Sequence, residues 1–169
     1  MTLLVFYLLL ALGVSFFCSM SEAVLLSVRQ PYILSLENSG QRAGRVLRRL
    51  TTNLDRPLAA ILSANTIAHT VGAAGVGAQA TVVFGGASVG IVSAVLTLLI
   101  LVLSEIIPKT LGATYWKRLA PTFAHLIQGL TTALAPFVWL SEKLTRLLAP
   151  AGASGFTFSR DEMEAMAEI

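Results

Sequence analysis

The sequence contains an uninterrupted run of 48 residues, 57 to 104, that has no Asp, Glu, Lys or Arg. One helix of that length would extend roughly 72 Å at about 1.5 Å per residue, far more than the ~30 Å hydrocarbon core of a bilayer requires. The adjacent glycines Gly85 and Gly86 lie inside this run, and such a pair disfavours a continuing helix. The run therefore predicts two membrane-spanning helices, at about 57–81 and 87–112, with a turn at the glycines.

Residues 1–21 form another segment without a charged side chain, and its length is sufficient to cross a bilayer. This segment lacks a clear basic start and cleavage site of the kind found in secretory signal peptides. We therefore expect a first span at about 2–28, which continues through Ser21 and Glu22. Only 12% of the chain is charged and 55% is hydrophobic, whereas soluble domains average about 25% charged residues. The composition indicates an integral membrane protein.

The part of the chain between the first two spans, 29–56, is strongly basic. It contains six arginines: Arg29, Arg42, Arg45, Arg48, Arg49 and Arg56. Apolar residues recur there at helical spacing and are interrupted at Asn38-Ser39-Gly40, which predicts a pair of short amphipathic helices. Basic residues in short loops face the cytoplasm, so we expect this pair and the C-terminus inside and residue 1 outside. Aromatic residues are not interleaved with the basic ones, which argues against a nucleic-acid partner.

The stretch 119–141 carries no Asp, Glu, Lys or Arg and is long enough for a fourth span. Its apolar side chains gather on one helical face, however, while His125 and Gln128 lie on the other. This asymmetry favours juxtamembrane amphipathic helices at about 117–149 that lie along the interface, and a fourth span stays open as the alternative.

Four residues of the third span combine groups that are unusual in a membrane helix: Ser104, Glu105, Pro108 and Lys109. A carboxylate at this depth costs roughly 2.5–3.5 kcal/mol on insertion, which makes Glu105 a functional candidate. Pro108 has no N–H, so in an α-helix the Ser104 carbonyl loses its partner. Such a cluster of oxygens suits a hard cation such as Mg²⁺ or Na⁺. The competing interpretation is an ion pair between Glu105 and Lys109, four residues apart, that only stabilises a kinked helix.

The second span carries polar residues on one arc of about 160°. They are Ser63, Asn65, Thr66, His69 and Thr70. A polar arc within a membrane should face protein or a water-filled cavity, although hydrogen bonding between helices would also explain Asn65 and His69. His69 has no second His or Cys at ligand spacing, which disfavours a transition-metal site. Two small-residue pairs, Ala68 with Gly72 and Ala73 with Gly77, favour close helix packing.

The first span adds Ser19, Ser21 and Glu22 near its inner end. Two interpretations stay open for them. They are ligands of a cation, or the serines bond back to helix carbonyls while Glu22 pairs with an arginine.

Three segments, taken with the arginine-rich pair, resemble the membrane domain of the CNNM/CorC family of magnesium transporters. They are SEAVLLSVR (21–29), ILSANTIAHT (61–70) and SEIIPKTLGA (104–113), in this order. The resemblance implies an all-α membrane protein, a homodimer with three transmembrane helices per subunit and an extracellular N-terminus. It divides the chain into a transmembrane domain, 1–150, and the start of a linker, 151–169, to cytoplasmic CBS domains that bind ATP. Ser159 and Glu162, at capping-box spacing, predict a helix within that linker.

The resemblance also implies a function and a set of ligands. The function is Mg²⁺ export across the bacterial inner membrane, coupled to Na⁺ import. The implied metal ligands are Ser21, Ser63 or Asn65, and Ser104 or Glu105, one set from each span. The residue patterns above add six supporting candidates: Ser19, Glu22, Thr66, His69, Pro108 and Lys109. The family often has paired asparagines in the second helix and another three residues on, whereas this chain has Asn65, Thr66 and His69.

Two other functions remain for comparison. A magnesium-sensing membrane scaffold that binds the ion without transporting it would carry the same motifs. An intramembrane hydrolase is disfavoured, because Ser104 and His69 belong to no nucleophile motif such as G-x-S-x-G. We therefore expect no enzymatic activity.

Overall fold

The computed structural model describes residues 1–86 and 89–148, and every regular element within these ranges is helical. The elements, in order, are α1 (Thr2–Ser27), α2 (Gln30–Asn38), α3 (Arg42–Thr52), α4 (Asp55–Phe84), α5 (Val89–Leu99), a π-helical segment π1 (Ile100–Ile106), α6 (Ile107–Thr114), α7 (Trp116–Ala133) and α8 (Ala135–Leu148). The predicted linker at 151–169, with its capping box, lies outside the described residues.

Three of these elements are long and apolar enough to cross a membrane. They are α1, α4 and the continuous helix Val89–Thr114, which comprises α5, π1 and α6. In the most apolar window of each span, at most 22% of the residues are buried inside the protein. Their apolar side chains therefore point outward, as lipid contact requires. The prediction of an all-helical protein with three candidate spans is confirmed.

Helix α1 lies at the centre and contacts both other spans. It crosses α4 closely because Gly72 has no side chain there: an added Cβ would lie 2.2 Å from the Ala11 Cβ. Gly112 of α6 has the same role, since its added Cβ would lie 2.9 Å from the Met20 carbonyl oxygen. The contact at Gly72 confirms close packing at the first small-residue pair, Ala68 and Gly72.

The second small-residue pair faces the other way. Ala73 is exposed, and nothing lies within 4 Å of a Cβ added to Gly77. None of the described residues therefore packs closely against this face of α4 at Gly77.

The contacts also define how the spans run relative to one another. Tyr7 meets Gly75, Ala11 meets Gly72, and numbers rise along α1 as they fall along α4, so these helices are antiparallel. The third span is parallel to α1, because Leu12 contacts Ser104 and Met20 contacts Gly112. Three spans that alternate in direction account for this arrangement.

The helical pair forms as predicted, with α2 and α3 separated by a turn at Ser39 and Gly40. Gly40 has φ +74°, a left-handed conformation that L side chains rarely adopt. Buried residues of α1, α2, α3 and α7 form one core cluster: Met20, Val24, Ile33, Leu36, Leu47, Ala120 and Ala124. The pair is thus held against the end of α1, and all six arginines between residues 29 and 56 are exposed.

Helices α7 and α8 are bent by 75° relative to each other. They reach the length and hydropathy of a span only if the two are taken together. Ala120, Ala124 and Ile127 are buried against neighbouring helices, while Leu126 and Phe137 are exposed. Both interpretations of this stretch, in-plane helices and a broken fourth span, stay predictions.

Candidate cation site

Helix α1 carries three buried serines, of which two have a hydrogen-bond partner and one does not. Ser15, Ser19 and Ser21 are 0%, 1% and 0% exposed. The Ser21 hydroxyl donates to the Phe17 carbonyl at 2.7 Å, one turn back in its own helix. The Ser19 Oγ has no hydrogen-bond partner in the described structure. A buried hydroxyl without a partner costs about 1–3 kcal/mol, so Ser19 is the α1 serine that most needs a ligand.

Helix α4 faces these serines with Asn65 and His69. The His69 Nε2 lies 2.6 Å from the Ser15 Oγ, which satisfies both groups. Asn65 Oδ1 is buried and, like Ser19 Oγ, has no partner in the described part of the chain. Because the helices are antiparallel, one turn along α1 from Ser15 to Ser19 corresponds to one turn back along α4 from His69 to Asn65. Two unpartnered oxygens therefore lie at one level between the helices.

The third span departs from the regular α-helix that the sequence predicted. In π1 the Ile107 N–H donates to the Val102 carbonyl, five residues back. The next bond of this kind would join residue 108 to the Leu103 carbonyl, but Pro108 has no N–H. The π-helical register therefore ends there, and the Leu103 carbonyl loses that partner as well. Segments of this kind are frequent at functional sites.

Ser104 attaches π1 to α1. Its side chain is completely buried, and its Oγ donates to the Leu12 carbonyl at 3.2 Å. Pro108, four residues on, is also fully buried. These contacts hold the wide turn against the same helix that carries Ser15 and Ser19.

The ion pair between Glu105 and Lys109, which was the competing interpretation of these residues, does not form. Lys109 Nζ instead lies 3.3 Å from Glu22 Oε2, so this pair joins α6 to α1. The geometric reason is that the π-helical turn changes the angular spacing on which an i,i+4 pair depends. Glu105 is partly buried and makes no ion pair with any described residue. Its carboxylate is therefore available to a ligand.

Two predicted residues have different surroundings. Ser63 is partly buried on α4, whereas Thr66 is exposed and its Oγ1 donates to the Leu62 carbonyl at 2.9 Å. Thr66 therefore faces away from the unpartnered oxygens. Ser15 is a residue that the sequence analysis missed, although its spacing of four from Ser19 is a helical signal that could have identified it.

The chemistry of this region is that of neutral and anionic oxygens. Hydroxyl, amide, carbonyl and carboxylate oxygens are the groups that bind hard cations. The described residues contain no group of three His, Cys, Asp or Glu that could hold a metal ion.

Comparisons with known proteins match most of the chain. The family described as the cyclin M transmembrane N-terminal domain matches residues 5–169. A UPF0053 protein of Synechocystis sp. is 38% identical over 141 residues, 83% of this chain and 40% of the relative. The UPF0053 inner membrane protein YfjD of Escherichia coli is 27% identical over 135 residues, 80% of this chain and 32% of the relative. A UPF0053 protein of Haemophilus influenzae is 29% identical over 141 residues, 83% of this chain and 34% of the relative. The chain spans less than half the length of these relatives.

Proposed function

The chain belongs to the cyclin M transmembrane (CNNM) family, and on that premise we propose that it transports Mg²⁺ through a polar site between its three spans. The observation that carries the proposal is the pair of buried, unpartnered oxygens on facing helices, Ser19 Oγ and Asn65 Oδ1. Such groups are costly inside a membrane protein unless a ligand satisfies them. Glu105 carries a carboxylate on the π-helical turn of the third span, which is held against the same helix as Ser19.

The ligand set follows from what Mg²⁺ demands. The ion prefers about six oxygens near 2.1 Å and gives up its waters reluctantly. In the proposed set Ser19, Asn65 and Glu105 supply one oxygen from each span, and Ser21, Ser63, the backbone carbonyls around Ser104 and water complete it. Ser104 contacts Leu12, seven residues before Ser19, so this set requires the third span to shift along α1 when the ion binds. Glu105 offsets part of the ion's charge. Ser104 itself serves mainly to hold π1 against α1 through Leu12.

The direction of transport is proposed as Mg²⁺ export in exchange for Na⁺, by alternating access to a site near the membrane midplane. The exposed arginines of α3, with Arg29 and Arg56 on either side of the helical pair, support a cytoplasmic location for that pair. The relative in Escherichia coli is an inner membrane protein, which supports the bacterial inner membrane as the location. Labelling from outside tests the orientation: in a Cys18→Ser background, Gly86→Cys should react and Ser39→Cys should not. The reverse pattern would overturn it.

The working unit is proposed as a homodimer, with CBS domains attached on the cytoplasmic side. The face of α4 at Ala73 and Gly77 supports close approach of a second membrane helix. Light scattering in several mild detergents tests this association. Protein that is a monomer in every detergent would contradict it.

Mg²⁺ efflux from proteoliposomes tests the transport proposal. Ser19→Ala and Asn65→Ala should each slow efflux, because each removes an oxygen from the site. Thr66→Ala is the matched control, since it removes an oxygen one residue away that faces outward, and it should leave efflux unchanged. A wild-type protein that binds Mg²⁺ but shows no efflux would instead favour the magnesium-sensing scaffold.

A further inference from the structure

A second polar site lies where the chain leaves the membrane spans. A cleft of about 590 Å³ is lined by Arg29, Pro31, Tyr32, Trp116 and Lys117. These residues come from the connection after α1 and the first turns of α2 and α7. The cation site lies within the spans, whereas this cleft lies at their ends.

Specific contacts between α2 and α7 build the wall of the cleft. The rings of Tyr32 and Trp116 meet edge to face, with centroids 5.1 Å apart and an interplanar angle of 82°. The Tyr32 hydroxyl donates to the Lys117 carbonyl at 2.5 Å. Burial raises the pKa of Tyr32, so the hydroxyl keeps the proton that this bond requires. Two elements far apart in sequence are thereby joined around the cleft.

Both charged residues that line the cleft, Arg29 and Lys117, are basic, and none of the described residues that line it is acidic. Lys117 Nζ lies 5.6 Å from the centroid of the Trp116 ring, where a cation is attracted to the aromatic face. The cleft is therefore suited to an anion that has both a compact charge and several acceptor oxygens.

The position of the cleft identifies the source of that anion. Helix α1 ends at Ser27 and the third span ends at Thr114, so the cleft lies at the depth of lipid headgroups. Trp and Tyr are enriched at that boundary. Leu26 and Leu111, in the last turns of the two spans, are 57% and 37% exposed and extend the lipid-facing surface. We propose that this cleft binds the phosphate headgroup of an anionic phospholipid.

The two tryptophans of the chain, Trp116 and Trp139, allow a direct test. In a Trp139→Phe background the only remaining tryptophan lies in the cleft. The variant is reconstituted in vesicles of phosphatidylcholine with increasing brominated phosphatidylglycerol, and in parallel with brominated phosphatidylcholine. Quenching of Trp116 fluorescence reports which lipid occupies the cleft. Two cations near the headgroups, each contributing about 1 kcal/mol, should produce about a thirtyfold preference for the anionic lipid.

Charge variants separate this site from general attraction to a basic surface. Arg29→Gln with Lys117→Gln should abolish the preference. Arg49→Gln should retain it, because this exposed arginine of α3 does not line the cleft. The rings of Tyr32 and Trp116 remain in every variant, and Lys117→Arg should preserve the preference.

Three results would overturn the proposal. The first is equal quenching of the wild-type cleft by the two brominated lipids. The second is an equal loss of preference in Arg49→Gln, which would indicate a diffuse field. The third is relief of quenching by millimolar inorganic phosphate, which would identify a soluble phosphate ligand instead. Efflux of Mg²⁺ is not part of this readout, so the result is independent of the transport proposal.

Discussion

Two neighbouring turns of the interface between α1 and α4 carry similar polar residues but differ in whether those residues are hydrogen-bonded. At one turn, Ser15 and His69 are 2.6 Å apart and satisfy each other. At the next, Ser19 and Asn65 carry buried oxygens without partners in the described structure. The first turn is explained by helix association alone. The second is not, and this difference distinguishes a structural polar pair from the candidate binding site in the same interface.

The largest expected effect comes from Glu105, the carboxylate of the third span that makes no ion pair with any described residue. Glu105→Gln keeps the size of the side chain and one oxygen but removes its charge. Attraction between unit charges at ~4 Å is about 4 kcal/mol at an effective dielectric of 20. Desolvation cancels part of this, so we expect Mg²⁺ affinity to fall about tenfold or more, one decade being about 1.4 kcal/mol. Calorimetric titration measures it, and unchanged affinity in a folded variant would exclude Glu105 as a ligand.

Substitution at the hydrogen-bonded turn, Ser15 with His69, should lower thermal stability and leave Mg²⁺ affinity unchanged. His69→Ala leaves the fully buried Ser15 hydroxyl without its partner, which costs about 1–3 kcal/mol. We therefore expect a clear fall in melting temperature with Mg²⁺ affinity near that of the wild type. Thr66→Ala serves as the control for substitution on α4. If His69→Ala lowers affinity as strongly as Glu105→Gln does, the two turns form one site and the comparison fails.

Substitution at the turn of Ser19 and Asn65 should lower Mg²⁺ affinity and leave thermal stability nearly unchanged. Asn65→Ala removes an oxygen that has no partner in the described structure, so stability should change little. The loss of one neutral ligand should lower Mg²⁺ affinity by about fivefold, which corresponds to about 1 kcal/mol. The same two measurements, melting and titration, apply to both turns. If Asn65→Ala lowers the melting temperature and leaves Mg²⁺ affinity unchanged, Asn65 has a structural role and is not a ligand.

The smallest effect is expected at the ion pair between Glu22 and Lys109. The Lys109 side chain is 47% exposed and that of Glu22 is 24% exposed, and such pairs contribute about 0–1 kcal/mol. Lys109→Gln should therefore lower the melting temperature only slightly. Mg²⁺ affinity should stay unchanged, because Lys109 neutralises Glu22 and not Glu105. A marked gain in affinity would indicate that Lys109 competes with the cation.

Much of the architecture follows from the sequence for a local reason. Inside a bilayer every backbone polar group must be satisfied, so a long uncharged segment has to form a helix by itself. The uncharged run 57–104 and the glycines at 85 and 86 were therefore enough to predict two spans. The helical pair was predictable for a related reason, because its apolar periodicity and the turn at Gly40 are local features. None of these predictions depends on which residues meet between helices.

The candidate site, in contrast, depends on which residues of different helices contact each other, and only the tertiary structure determines those contacts. The fit of Gly72 against Ala11 sets the register of α1 and α4, and this register pairs Ser15 with His69 and leaves Ser19 opposite Asn65. A run of polar residues in one helix cannot show which of them will be satisfied by another. Likewise, the π-helical turn lies between Pro108 and the contact of Ser104 with Leu12. In this geometry Lys109 pairs with Glu22, and Glu105 has no ion pair with a described residue. The sequence by itself determined the spans, because helix formation in lipid is local; only packing determined the site, because it is made of groups that three helices bring together.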